Sequence, residues 1–142
     1  TRVHIYKAII EGIGYGLLEG MQNLEKSSKQ KISGLTVSGG GSQSDEICQI
    51  TADMFGKPVY RIQTYEACGL GSSIVAFVSL GVFKDYREAI QSMVHYKKTF
   101  TPNPDVNEVY RNLHSRIYKR IYKQLKPLYW ELRSITKERK DK

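Results

Sequence analysis

Apolar residues recur at helical spacing through the first stretch of the chain: Tyr6, Ile9, Ile10, Ile13, Leu17, Met21 and Leu24. Steps of three and four predict a helix over residues 3–24. Gly12, Gly16 and Gly20 fall on one strip of it. Each costs roughly 1 kcal/mol relative to alanine, and close packing against another backbone would offset that. Glu11, Glu19 and Gln22 interrupt the segment, which removes the reading of a membrane-spanning small-residue motif. After a polar connection at 27–31, the β-branched stretch from Ile32 predicts a strand running to Ser38. Ser38-Gly39-Gly40-Gly41-Ser42 follows, and an amphipathic run from Asp45 to Phe55 predicts the next helix. Ser44 or Ser42 can cap it, Asp45 and Glu46 fill its first turn, and Gly56 closes it. Val59, Tyr60 and Ile62 predict a short second strand.

Small residues from Glu66 to Leu80 predict a tightly packing helix that Gly81 ends, and Asp85 caps another through Met93. Thr101-Pro102-Asn103-Pro104 is an extended break. Asp105 is expected to cap a long helix with a buried stripe of Val109, Leu113, Ile117, Ile121, Leu125, Leu128 and Leu132. Tyr110, Tyr118, Tyr122 and Tyr129 run beside the stripe and are expected to keep wet hydroxyls, and Pro127 is expected to bend or end the last part. With no internal repeat, the order of helix, strand, helix, strand and further helices predicts an α/β fold with a long C-terminal helix.

Composition narrows this little. The 142 residues fit one domain spanning the whole chain. The net charge of +8 is concentrated late, because nine Lys or Arg and three acids fall at or after Lys119. A basic helix end reads as a solvated face, so nucleic acid is not expected as a partner. The longest apolar run, residues 73–83, is too short for a bilayer. Cys48 and Cys68 form neither a zinc pattern nor a disulfide framework, and two buried thiols in a reducing, cytoplasmic setting are expected. The chain begins at Thr1 without a leader pattern, which reads as a processed protein or a piece of a longer one.

A strand that empties through three glycines into a helix lets backbone amides approach a phosphate or sugar ring with no Cβ in the way. The same spacing also suits a tight strand-to-helix turn, and spacing alone does not separate the two. Asp45 and Glu46 would repel a phosphate set directly on the helix end, so any phosphate contact is expected from the loop amides. Asp53 lies two turns beyond the loop and reads as a structural hydrogen-bond acceptor ahead of a Mg²⁺ ligand. Glu66 reads as a capping or packing residue. His4, His95 and His114 have no catalytic partner at useful spacing and read as surface or interface residues.

Glu11-Gly12-Ile13, the Gly39–Gly41 loop, Gln49-Ile50-Thr51-Ala52-Asp53, Pro58-Val59 and Glu66-Ala67 before Gly69-Leu70-Gly71 occur in one order and spacing. Together they resemble the C-terminal domain of the FGGY carbohydrate kinases, from residue 3 to residue 93. The resemblance implies an actin-like ATPase fold of ribonuclease-H-like domains, with this chain as the C-terminal half. It implies that Gly39, Gly40 and Gly41 lie against the inner phosphate and ribose of ATP. Ser44 takes the position that touches adenine or ribose in relatives, where Asn is frequent. Ser72 and Ser73 stand where relatives commonly have alanines, and Lys7 where Arg is frequent.

The expected function is therefore ATP-dependent phosphorylation of a sugar or polyol, with ATP and Mg²⁺ as cofactors. The family's catalytic base and first phosphate loop belong to an N-terminal domain that this chain lacks, so no catalytic residue and no metal ligand is expected here. ATP or ADP, the sugar and a second copy of the chain are the candidate partners. Two other readings stand beside this one: a non-catalytic actin-like nucleotide-binding scaffold, and a nucleic-acid-binding domain that uses the basic tail.

Overall fold

The computed structural model describes residues 1–138. Lys140, Lys142 and their neighbours Arg139 and Asp141, part of the basic tail counted above, lie outside the described residues. The chain divides into two compact units, residues 1–107 and 108–142.

The first unit begins with helix α1, Arg2–Ser28, which ends on Lys29 in the left-handed conformation. Strand β1, Leu35–Val37, leads through a 3₁₀ turn at Gly40–Gln43 into helix α2, Asp45–Phe55. Gly56 closes α2 with φ of 62°. Strand β2 is Val59–Ile62, helix α3 is Ala67–Ser79, helix α4 is Tyr86–Met93 and strand β3 is Tyr96–Phe100. Asp85 caps α4 as expected, accepting the Glu88 N–H at 2.9 Å. The sheet runs β1-β2-β3. β1 and β2 are parallel with Leu35 opposite Val59, and β2 and β3 are antiparallel with Arg61 opposite Lys98. Helix α2 covers one face: Cys48 and Ala52 pack with Val59 and Phe100, and Leu35 and Val37 close the cluster.

Several expectations change. The first strand is shorter than 32–38, because β1 pairs only where β2 runs beside it, from Leu35 to Val37. β3 was not expected at all. Only its last residue, Phe100, is buried, so its apolar signal is one side chain beside two lysines. The close approach on α1 is at Gly14, where an added Cβ would lie 2.7 Å from Met54 Sδ, whereas Gly12 and Gly20 face open space. The apolar positions Tyr6, Ile9, Ile13, Leu17 and Leu24 are exposed, and the buried face of α1 is carried by Tyr15 and Leu18. Cys68 is exposed and only Cys48 is buried. Glu66 makes no capping hydrogen bond at α3; instead its N–H donates to Thr64 Oγ1.

Helix α5, Pro104–Leu113, starts one residue before Asp105, and its cap is Asn103. The Asn103 Oδ1 accepts the N–H groups of Asp105 and Val106 at 3.0 and 3.3 Å. In the second unit the helix passes through a π-helical stretch, His114–Tyr118, into α6, Lys119–Glu138. The helix does not end at Pro127. Proline removes a single helix hydrogen bond, and the good helix formers around it carry the helix on. The stripe expected to be buried is largely exposed: Val109, Leu113, Ile117, Ile121, Leu128 and Leu132 all face outward. Among its tyrosines Tyr110 is buried, and so is His114, whose ring stacks on Tyr118 at 5.7 Å. No helix among the described residues is long and apolar enough to cross a membrane.

Candidate functional site

The glycine loop leaves the carboxyl end of β1. Gly39 takes φ 84°, ψ −179°, a region essentially reserved for glycine. Its N–H donates to the Tyr65 carbonyl at 3.1 Å, which fastens the start of the loop to the segment after β2. Ser42 closes the turn by donating its N–H and its hydroxyl to the Gly39 carbonyl, at 3.1 and 2.7 Å. Nothing lies within 4 Å of where a Cβ would stand at Gly39, Gly40 or Gly41. Only Gly39 is therefore demanded by backbone conformation. Gly40 and Gly41 keep a bare backbone facing open space, which is the room a ligand needs to approach the amides.

Ser44 is the cap of α2. Its hydroxyl accepts the Ile47 N–H at 3.2 Å and donates to Glu46 Oε2 at 2.7 Å. The single hydroxyl proton is thus committed, and a ligand contact at Ser44 would use its remaining lone pair. The Ser44 hydroxyl and then the backbone N–H of Glu46 itself hold the Glu46 carboxyl below its ordinary pKa.

Asp45 does not stand as a bare repulsive charge beside the loop. Lys98 takes one carboxylate oxygen and Arg61 Nη1 takes the other at 2.7 Å. Lys98 first, then Arg61, hold the Asp45 carboxyl below its usual range. With two cations on one carboxylate, the first turn of α2 is less hostile to an anion than its acids alone suggest. The same Arg61 Nη1 reaches the carbonyls of Ser42 and Gln43, at 3.1 and 3.4 Å. Cys48 Sγ also donates to the Ser42 carbonyl, at 3.4 Å. Burial pushes the Cys48 thiol up from its ordinary pKa.

A polar cleft of about 320 Å³ opens beside the end of the loop, between Ser42, Gln43, Arg61, Gln63, Tyr65 and Lys97. It sits at the carboxyl ends of the parallel strands β1 and β2, where open α/β sheets bind ligands. Gln63 shapes its far side: the side chain accepts the His95 N–H at 2.9 Å and donates to the Met93 carbonyl.

Asp53 is a structural acceptor, as its position suggested. Its Oδ1 receives Gln49 Nε2 at 2.9 Å and the Asn103 N–H at 2.7 Å. Among the described residues no group of three or more His, Cys, Asp or Glu could hold a metal ion. The structure gathers Gly39, Gly40, Gly41 and Ser44 into one continuous turn. Sequence reasoning missed Arg61, Lys98 and Gln63. Arg61 binds backbone carbonyls and a carboxylate brought near only by folding, so a linear pattern carries no sign of it.

Residues 1–80 match the family model described as FGGY family of carbohydrate kinases, C-terminal domain. A xylulose kinase of Lactococcus lactis is 31% identical over 130 residues, covering 91% of this chain and 26% of that protein. A glycerol kinase of Dechloromonas aromatica is 36% identical over 88 residues, covering 62% of this chain and 18% of that protein. Among solved structures, the ligand-bound xylulose kinase of Lactobacillus acidophilus superposes with a TM-score of 0.79 at 28% identity, over 93% of this chain and 27% of its own. The gluconate kinase of the same species gives a TM-score of 0.77 at 27% identity, over 88% and 25%. The chain thus spans about a quarter of the length of the relatives it matches.

Proposed function

The chain belongs to the FGGY family of carbohydrate kinases, and on that premise we propose that it is the nucleotide-holding part of an enzyme that transfers the γ-phosphoryl group of ATP to a sugar or polyol hydroxyl. Its fold is the actin-like ATPase fold of these kinases, here an α/β body with a long C-terminal helix.

The single observation that carries the reading is the open, Cβ-free face of the loop at Gly39–Gly41. A phosphate or ribose can come within hydrogen-bonding distance of amides only where side chains stand clear. In the proposed complex Gly39, Gly40 and Gly41 line the inner phosphates and ribose, and Ser44 borders the nucleoside. Arg61 and Lys97 give the adjacent cleft a positive wall.

The described residues do not form a Mg²⁺ cage, so the metal would be held through the nucleotide's phosphates and through groups elsewhere in the kinase. The base for the sugar hydroxyl is assigned to the part of the enzyme outside this chain. Closure over the loop would exclude water, the competing phosphoryl acceptor.

Gly40→Asp in the full-length kinase tests the reading. Gly40 has an ordinary backbone conformation and open space, so the fold should tolerate the change. The added side chain and charge should weaken ADP binding at least about tenfold, or ~1.4 kcal/mol. Unchanged ADP affinity by calorimetry would sink the assignment. A panel of sugars and polyols, read by ADP release, identifies the acceptor.

A further inference from the structure

The glycines are open on their outer side, so packing at those positions does not hold the loop in place. Hydrogen bonds at its two ends do. The first end is fixed by backbone alone, Gly39 N–H to the Tyr65 carbonyl. The second end is held by local bonds, with Cys48 Sγ on the Ser42 carbonyl and the Ser44 N–H on the Gly41 carbonyl, and by one side chain from the sheet. Arg61 Nη1 meets the carbonyls of Ser42 and Gln43, where the 3₁₀ turn finishes, and Asp45 Oδ1, where α2 begins. The guanidinium also lies 5.4 Å from the centre of the Phe100 ring, and only 15% of the side chain is exposed.

The sheet makes this arrangement specific. Arg61 and Lys98 are direct cross-strand partners, and like charges directly opposite each other destabilise a sheet. Asp45 resolves the conflict by accepting one cation on each oxygen. The register slips just after Arg61, so that Ile62 faces Tyr96 and Lys97 is the extra residue of a bulge. Arg61 is therefore the last residue of β2 in regular register, and it reaches from there back across the loop.

We propose that Arg61 is the positioning residue of the nucleotide loop: it fixes the end of the Gly40–Gln43 turn and the start of α2, and so sets where the loop amides present themselves to the nucleotide. The proposal rests on the nucleotide reading above. Arg61 acts through the loop, so its loss should appear as a selective weakening for nucleotide. Lysine keeps the positive charge and an aliphatic stem. It loses the rigid guanidinium plane that holds Nη1 against two carbonyls and a carboxylate at once.

The test compares Arg61→Met, Arg61→Lys and Gly40→Asp in the full-length kinase. KM for ATP, KM for the sugar, kcat, ADP affinity and the thermal midpoint are measured for each. Arg61→Met should raise KM for ATP and weaken ADP binding about tenfold, ~1.4 kcal/mol, with KM for the sugar unchanged within about twofold. Arg61→Lys should recover part of that loss. A lower thermal midpoint with both KM values unchanged would assign Arg61 to stability alone and overturn the proposal. If Arg61→Met does not fold, Arg61→Lys decides: a raised KM for ATP alone supports the clamp, and unchanged nucleotide parameters refute it. If Gly40→Asp weakens ADP binding while neither Arg61 variant does, the clamp fails and the loop assignment stands. If Gly40→Asp has no effect, the nucleotide reading itself fails.

Discussion

Asp53 Oδ1 accepts the backbone N–H of Asn103 at 2.7 Å, joining the last turn of α2 to the residue that caps α5. The link is reinforced from the other side, because Asn107 Nδ2 donates to the Asp53 carbonyl at 2.7 Å. Gln49 Nε2 bridges Asp53 Oδ1 and the Thr101 carbonyl, both at 2.9 Å. Asp53→Ala leaves the Asn103 N–H without its charged acceptor. Hydrogen bonds to charged groups contribute about 1.5–3 kcal/mol, and a loss of that size is expected in urea unfolding. Asp53→Asn retains an acceptor oxygen and should lose less. Equal stability of Asp53→Ala and wild type would remove Asp53 from this role.

A second junction predicts an acid limb. Glu25 Oε1 accepts the Ile32 N–H at 2.9 Å, and Lys57 Nζ donates to the Ile32 carbonyl at 2.6 Å. The Ile32 hydrogen bond first, with the Lys31 and Lys57 charges, holds the Glu25 carboxyl below its ordinary pKa. The unfolded chain then binds the proton more readily than the folded one, so stability falls as pH falls. The contribution is complete above the unfolded glutamate pKa of about 4.3 and disappears through the lower folded value. Glu25→Gln should therefore be less stable than wild type near neutrality, with the difference shrinking in acid. A gap in urea midpoints that stays constant between neutral and acidic buffers would contradict this.

Two glycines of α1 should respond to alanine with opposite signs. At Gly14 the new Cβ meets Met54 Sδ at 2.7 Å, and Met54 is itself buried. Overpacking of this kind costs about 1–3 kcal/mol. At Gly12 nothing lies within 4 Å, so alanine should stabilise the helix by about 0.5–1 kcal/mol. Thermal midpoints of the two variants should move in opposite directions, and a rise for Gly14→Ala would show that the Met54 thioether gives way to the new methyl group.

The parts of the fold that were legible in the sequence are those whose determinants are local. Ser44 and Asp85 cap their helices through groups three residues away, and Gly56 ends α2 by its own conformation. The elements that were missed depend on distant partners. Tyr96–Phe100 is a strand because β2 lies beside it, and its near-continuous exposure erases the apolar alternation that would reveal it. Asn103 outcompetes Asp105 as the α5 cap because Pro104, with no N–H to satisfy, occupies the first helical position. The apolar positions of α1 and α6 follow the period correctly, but periodicity marks a face without saying what covers it. At the site, Gly39–Gly41 were visible as a pattern. Arg61 was not, since its partners are two carbonyls and an aspartate set beside it by the chain's return.

The span of chain between partners gives the loop its own order of assembly. Arg61 reaches Ser42, Gln43 and Asp45 across 19, 18 and 16 positions, whereas Lys98 reaches Asp45 across 53. Ring closure in a flexible chain becomes less probable as the ring grows, by about (3/2)RT times the logarithm of its length. The segment β1-α2-β2 can therefore close its Arg61 contacts while β3 is still undocked. Fraying of β3 would release Lys98 and the Phe100 ring but leave the loop tied at one end to Arg61 of β2 and at the other to Tyr65, just beyond it.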